Sequence, residues 1–354
     1  MKIAFVSFYN GEIFRGVETY VHELANRFVD MGYEVVVYQN GPKIPLTKYK
    51  TKEIRLKIDW NKRPSKFLKV IYFDYWNLLV GKFTLKLAIS IFNEKPKIII
   101  SGNGGWQPAI LRIITWLYGG KLIISSQAGI GFDDINNLFC FPNVFVAIST
   151  YAQMWAKKIN PLVRVEKISN GVDMQKFQPK GEKLDINLPS PIILSVGALT
   201  QMKRHELSIK AFLMVKKGSL LIVGQGELYE YLTKLAKQMI PGRFKILNLP
   251  YKEIDKAYRS ADLFIYPTSN YESFGISMLE AMASGLPVVA NDDPIRKEII
   301  GNAGLVVNPQ NSESYAKAIE KALDTSWGNK PREQVEKFDW DKIALDYVNL
   351  FKSL

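Results

Sequence analysis

Ten short runs rich in β-branched residues recur along this chain, separated by stretches of helical periodicity, and that alternation restricts the fold more than any other feature. Five lie at 2–8, 33–39, 97–102, 121–127 and 144–149; five more lie at 191–197, 219–224, 243–248, 262–267 and 286–291. Most are apolar nearly throughout, the pattern of strands covered on both faces. Strands of that kind with helices between them predict βα units and parallel sheets. An amphipathic stretch at 19–31, ending near Gly32, and another at 106–117 are candidate helices of the first series.

At 354 residues the chain exceeds the size at which one hydrophobic core keeps growing, so two α/β domains are expected. The first takes residues 1–175 and the second 191–335. Residues 176–190, with Pro179, Gly181, Pro189 and mixed charge, read as the linker. Ligands of open α/β sheets sit outside the carboxyl ends of the strands, so two doubly wound domains facing each other leave a cleft for one. The single cysteine, Cys140, rules out an intrachain disulfide and a cysteine zinc cluster. The first run lacks the charged start and cleavage site of a secretory signal, and no run of about 18 uncharged apolar residues follows. A reducing cytoplasm is the expected location.

The formal net charge of +13 is unevenly spread: residues 1–170 hold 23 basic and 12 acidic side chains, the remainder 24 and 22. Within the first part, the segment that opens at Lys43 and closes at Lys97 has 14 basic and 4 acidic residues interleaved with aromatics such as Trp60, Phe67, Phe73, Trp76 and Phe92. Two readings fit. One is an anionic membrane surface, where lysines snorkel while aromatic rings enter the interface; the other is a solvated helix pair whose aromatics are core. Nucleic acid suits the charge alone, and no nucleic-acid motif accompanies it.

The most informative stretch chemically is 271–289, in which Glu272 and Glu280 are separated by seven residues. An apolar run ending at Pro267 precedes it, and Gly285 and Pro287 supply a helix stop, so the order is strand, loop, helix. Ser273 is a residue type that caps helices, and Gly275 allows close approach to amides that have no helical partner. A diphosphate suits such a place. With a helix opening near Phe274, Glu280 lies roughly 9 Å further along its axis, within reach of another part of the same ligand. Two glutamates flanking a helix are also what a solvated face looks like, but Glu280 stands among Met278, Leu279, Ala281 and Met282.

These residues resemble the retaining GT-B glycosyltransferases of family GT4, the glycosyl transferases group 1, whose signature is a Glu-x7-Glu element in a strand-loop-helix. Further resemblance lies at 15–24, 168–173, 195–204, 220–227 and 338–347, in the family's order. It implies two Rossmann-like domains facing across a cleft, with the terminal segment 336–354 crossing back as a helix to the first domain. The function implied is transfer of a hexose from a nucleoside-diphosphate sugar, UDP- or GDP-linked, to a glycan or lipid-linked acceptor on the cytoplasmic side of a membrane. No cofactor or metal is required by it. A nucleotide-sugar epimerase, or a non-catalytic nucleotide-sugar-binding subunit, is the alternative on the same fold.

The resemblance also implies roles. Glu272 would hold hydroxyls of the transferred sugar, Lys203 and Arg204 would neutralise the diphosphate together with the amides of Phe274 and Gly275, and Glu280 would hold the ribose. Gly197, Gly224 and Gly226 would edge the nucleotide pocket, and Gly16 would allow close approach from the first loop. Departures are plain: Ala198 stands where the family usually has arginine, Arg15 where a first glycine is frequent, and Gln127 where many members place a histidine. Gln127 can hydrogen-bond a sugar hydroxyl but cannot shuttle a proton. Asp133 and Asp134 are either acceptor contacts or loop caps, His22 reads as structural, and Asp339 and Asp341 read as helix caps rather than a metal motif.

Overall fold

A computed structural model describes every residue except Phe14, Pro64 and Asn270, with only the backbone of Lys66. Phe14 belongs to the first loop discussed above and so lies outside the described residues. The chain divides into two compact units: Met1–Asn170 with Trp340–Leu354, and Gly171–Asp339.

The first unit runs β1 (Lys2–Ser7), α1 (Gly16–Asp30), β2 (Glu34–Gln39), β3 (Lys50–Glu53), α2 (Lys66–Val70), α3 (Tyr75–Glu94), β4 (Ile98–Ser101), α4 (Trp106–Tyr118), β5 (Lys121–Ser125), α5 (Phe132–Phe139), β6 (Val144–Ala147), α6 (Thr150–Ile159) and β7 (Val165–Lys167). Its seven strands pair in parallel in the order β3-β2-β1-β4-β5-β6-β7. Order reverses at β1, as doubly wound sheets require. The second unit runs β8 (Ile192–Val196), α7 (His205–Phe212), β9 (Ser219–Val223), α8 (Tyr229–Met239), β10 (Phe244–Leu247), α9 (Ile254–Arg259), β11 (Leu263–Tyr266), α10 (Ile276–Ala283), β12 (Val288–Asn291), α11 (Pro294–Ile300), β13 (Gly304–Val307), α12 (Ser312–Asp324) and α13 (Lys330–Val335). Six parallel strands pair as β10-β9-β8-β11-β12-β13, reversing at β8.

The expected linker at 176–190 is instead built into the second unit, and the first ends at Asn170 rather than residue 175. Hydrogen bonds explain the difference: Lys176 Nζ donates to the Tyr251 carbonyl at 3.0 Å, Leu184 N to Ser260 Oγ at 2.7 Å, and Arg259 Nε to the Glu182 carbonyl at 2.7 Å. Proline, glycine and charge marked an irregular segment, which is not the same as an untethered one.

The last helix, α14 (Trp340–Lys352), completes the first unit. Its Trp340, Ile343, Tyr347 and Phe351 join a core with Phe5, Tyr20 and Phe28 from β1 and α1. The Phe28 and Phe351 rings meet edge to face at 5.2 Å, and the Tyr20 and Tyr347 hydroxyls are 2.8 Å apart, each satisfying the other in a buried site. At its start Asp341 pairs with Arg27 Nε of α1 at 2.6 Å. Replacing Trp340 with alanine should lower stability by about 3–5 kcal/mol, the usual cost of deleting a buried tryptophan; urea unfolding with a wild-type-like midpoint would show that α14 is dispensable to this core.

Candidate functional site

In the second unit three loops gather beyond the carboxyl ends of β8, β9 and β11. Two glycines let the first two meet. A Cβ on Gly224 would stand 1.9 Å from the Gly197 carbonyl oxygen, and one on Gly226 would stand 2.5 Å from that of Leu199. The amide of Gly197 donates to Val223 O at 3.0 Å and that of Leu199 to Gln225 O at 2.9 Å. These glycines are therefore required by loop-to-loop packing, whatever else they touch. The third loop is tied to the first by Ser269 N donating to Met202 O at 2.9 Å.

This crossing delivers the central cluster. Lys203 Nζ donates to Glu272 Oε2 at 2.6 Å and to the Tyr266 hydroxyl at 2.9 Å. Tyr266 is the last residue of β11, with its ring buried and its hydroxyl at the strand's carboxyl end. Burial alone would push the Lys203 ammonium down, yet Tyr266 and Glu272 outweigh it and leave its pKa above the ordinary value. Glu272, 9% exposed, thus sits charge to charge against the cation expected to serve the phosphates. The pair is part-buried, so removing one partner would leave the other charge poorly solvated.

Arg204 is used differently. Its backbone occupies the left-handed region at φ 49° just before α7, and two guanidinium nitrogens donate to the carbonyls of Pro267 and Thr268. It braces the chain leaving β11. Behind it, Arg296 is fully buried, donating to Thr268 Oγ1 at 3.2 Å and lying 3.4 Å from Asp293, the cap of α11. His205 is buried next to this loop with Nδ1 3.1 Å from Ser195 Oγ; burial, then the Lys203 charge, holds its pKa down at about 4.

The helix α10 opens later than its sequence suggests. It starts at Ile276, with Gly275 as the residue before it at φ 98°, and Ser273 does not cap it. A side chain on Gly275 would meet Tyr266 Cε1 at 2.8 Å and Met278 Cε at 2.9 Å, so both conformation and space demand glycine. Phe274, instead of opening the helix, is a buried anchor against Phe338, with ring centroids 6.0 Å apart. Glu280 then lies about 6 Å along the axis from the first helical residue, and not 9 Å from Phe274. Its carboxylate is buried and accepts from the Tyr258 hydroxyl at 2.6 Å.

Gln127 and Gly16 belong to the first unit. Gly16 is the exposed first residue of α1, and Glu18, one turn in, accepts from the Arg15 amide at 3.1 Å. Gln127 follows β5 and exchanges two amide hydrogen bonds with Asn170, at 2.9 and 3.0 Å, while also donating to Ser125 Oγ. Of the two readings of Asp134, the structure favours the structural one: fully buried in the first turn of α5, it accepts from Ser126 Oγ and Asn137 Nδ2. His22 lies between Tyr49 and Asn26 on α1. The sequence reading missed Tyr266, Tyr258, Asn170 and Arg296; a tyrosine ending a buried strand was the one available signal.

A hollow of about 670 Å³ opens at the opposite end of the second sheet, between Pro191, Lys216, Asp262, Pro287 and Trp327, and none of the expected site residues lines it. The chemistry converges at the carboxyl edge, so that edge is the candidate site.

Solved structures share this fold. Sucrose-phosphate synthase of Thermosynechococcus elongatus superposes with a TM-score of 0.80 over 99% of this chain and 98% of its own, at 19% identity. Anabaena HepE, solved in complex with UDP and glucose, gives 0.79 over the whole of both chains at 16% identity. The fold is GT-B. In sequence, residues 176–338 match the family model of the glycosyl transferases group 1, and an uncharacterized glycosyltransferase of Methanocaldococcus jannaschii, MJ1607, is 34% identical over 216 residues, 54% of this chain and 55% of that protein. Residues 176–338 thus carry the likeness to the glycosyl transferases group 1, and the chain spans about half the length or less of the first curated relatives that it matches.

Asp134 carries a pH signature. Burial raises its carboxyl to about 7, well above the value near 4 of an unfolded chain. Between those values the folded state binds the extra proton, so stability should fall as pH rises from about 4 to about 7. Asp134→Asn should flatten that slope in denaturant titrations; an unchanged slope would place the titration elsewhere.

Proposed function

We propose that this protein is a retaining, metal-independent hexosyltransferase that uses a UDP- or GDP-linked sugar and a glycan or lipid-linked acceptor at the cytoplasmic face of a membrane. The observation that carries this reading is the Lys203–Glu272–Tyr266 cluster beside the start of α10. It sets a cation and a carboxylate side by side where an activated sugar needs both. The incoming diphosphate takes Lys203 as its partner, supported by the amides at the start of α10. Glu272 is released to the sugar hydroxyls and Glu280 holds the ribose. Ser273, Gly197, Gly224 and Gly226 shape the rim, and Arg204 keeps the β11 loop in place.

The reaction is a front-face displacement. The acceptor oxygen bonds to the anomeric carbon as the bond from that carbon to the β-phosphate oxygen breaks, on the same side, and the acceptor proton passes to the departing phosphate. Charge grows on the leaving diphosphate, where Lys203 stabilises it more in the transition state than in the ground state.

A thermal-shift panel of UDP-, GDP-, dTDP- and ADP-sugars tests donor binding, since ligand at 100 times its Kd stabilises by about 2.7 kcal/mol. Glu280→Ala should weaken the responding nucleotide about tenfold or more. Lys203→Ala should lower kcat about a hundredfold with a smaller effect on donor affinity. Near wild-type constants for both variants would remove the assignment, and donor binding without transfer to any acceptor would favour a binding subunit. EDTA should leave turnover unchanged, and the product should keep the donor's anomeric configuration by NMR; inversion or loss of activity would overturn those parts.

A further inference from the structure

Helix α3 carries an apolar stripe that the first unit does not cover. Leu78, Leu85, Ile89 and Phe92 are all exposed, Ile89 by 75%. At 100° per residue they fall within about 60° of one another on the helix. Lys82 and Lys86 flank the stripe and are also exposed. The opposite face, with Val80, Phe83, Leu87 and Ile91, is core. The helix is therefore apolar on two faces, only one of which folding uses.

Its neighbour repeats the pattern. Helix α4 lies alongside and runs in the same direction: the Trp106 side chain sits over Gly81, and the Phe92 and Tyr118 rings meet at 6.4 Å. On its outer side Ile113, Trp116 and Leu117 are exposed, Trp116 by 78%. The exposed Phe73 packs edge-on against Trp106 at 5.6 Å, extending the surface beyond the start of α4. Monomeric proteins seldom leave several large apolar side chains exposed on adjacent helices without a use for them.

Charge selects the occupant. Residues 60–118 contain two acids, Asp74 and Glu94. Both are consumed internally: Asp74 caps α3 by accepting from the amides of Trp76 and Asn77, and Glu94 is ion-paired with Lys2 and Lys52. What remains around the stripe is basic. A second copy of the chain would set lysines against lysines, whereas anionic lipid headgroups complement them. Among the described residues no helix is long and apolar enough to cross a membrane, so α3 and α4 would lie in the interface.

We propose that the outer faces of α3 and α4 form the docking surface of this protein for an anionic lipid bilayer. Trp116, Leu117, Ile113, Leu85 and Ile89 enter the headgroup boundary while Lys82 and Lys86 meet lipid phosphates. This deepens the membrane-side reading above, placing the contact on α3 and α4, half of it outside the segment 43–97.

The test is sedimentation of the full chain with vesicles of phosphatidylglycerol and phosphatidylcholine, against pure phosphatidylcholine. Binding should require the anionic lipid and weaken as salt is raised. Ile89→Glu and Trp116→Glu should each lower partitioning about tenfold or more, and Lys82→Ala/Lys86→Ala should lower it by a comparable factor. All these side chains are solvent-exposed, so thermal stability and the nucleotide-sugar shift should stay at wild-type values. Vesicle binding unaffected by the four substitutions, or a concentration-dependent dimer that Ile89→Glu abolishes, would overturn the proposal. Neither outcome touches the donor site, which the nucleotide shift reports separately.

Discussion

The ion pair between Lys203 and Glu272 is the contact around which the carboxyl edge of the second unit is arranged. It joins the loop after β8 to the loop after β11, and its surroundings accommodate it: glycines at 224 and 226 for the loop crossing, Tyr266 as the hydroxyl partner, Arg204 as the brace on Pro267 and Thr268. Taking two charges out of water costs several kcal/mol per ion before they attract each other. Under the proposed function, the resting pair stores the cation and the carboxylate in mutually satisfied form, and the donor's diphosphate and sugar take one each.

Much of this was legible in the sequence because the signals were of one kind. Strands covered on both faces read as continuous apolar runs, and all ten expected runs lie on strands; β3, β7 and β13 were missed. Each missed strand is an edge of its sheet, where less core contact leaves a weaker apolar pattern: KTKE in β3 carries none. The helix α10 was mis-started for a different reason. Ser273 has the chemistry of a cap, but the position of a cap depends on backbone dihedrals, and Gly275 at φ 98° fixes the start two residues later than the serine would.

Side-chain pairing was the part that could not be read. Glu280 was singled out by spacing, yet nothing near it in sequence announces Tyr258, which supplies its hydrogen bond across 22 residues. Gln127 and Asn170 are 43 residues apart and share two bonds. The aromatic, basic segment mixes core and surface rings. Phe83 is core against Phe8, and Trp76 and Trp60 lie by Tyr9, while Phe73 and Phe92 face outward. Composition gave the inventory, and only helix phase could allocate it.

The placement of α14 has a consequence for biosynthesis. Trp340, Tyr347 and Phe351 supply one wall of a core whose other residues are translated first, so Tyr20 and Phe28 pack on Phe5 long before this wall is made. The second unit, by contrast, has all its strands and helices once residue 339 has been made. Domains commonly fold in the order in which they emerge. Here that order is inverted for the final step: the first unit can close its core only after Trp340–Lys352 has been made, later than every strand of the second.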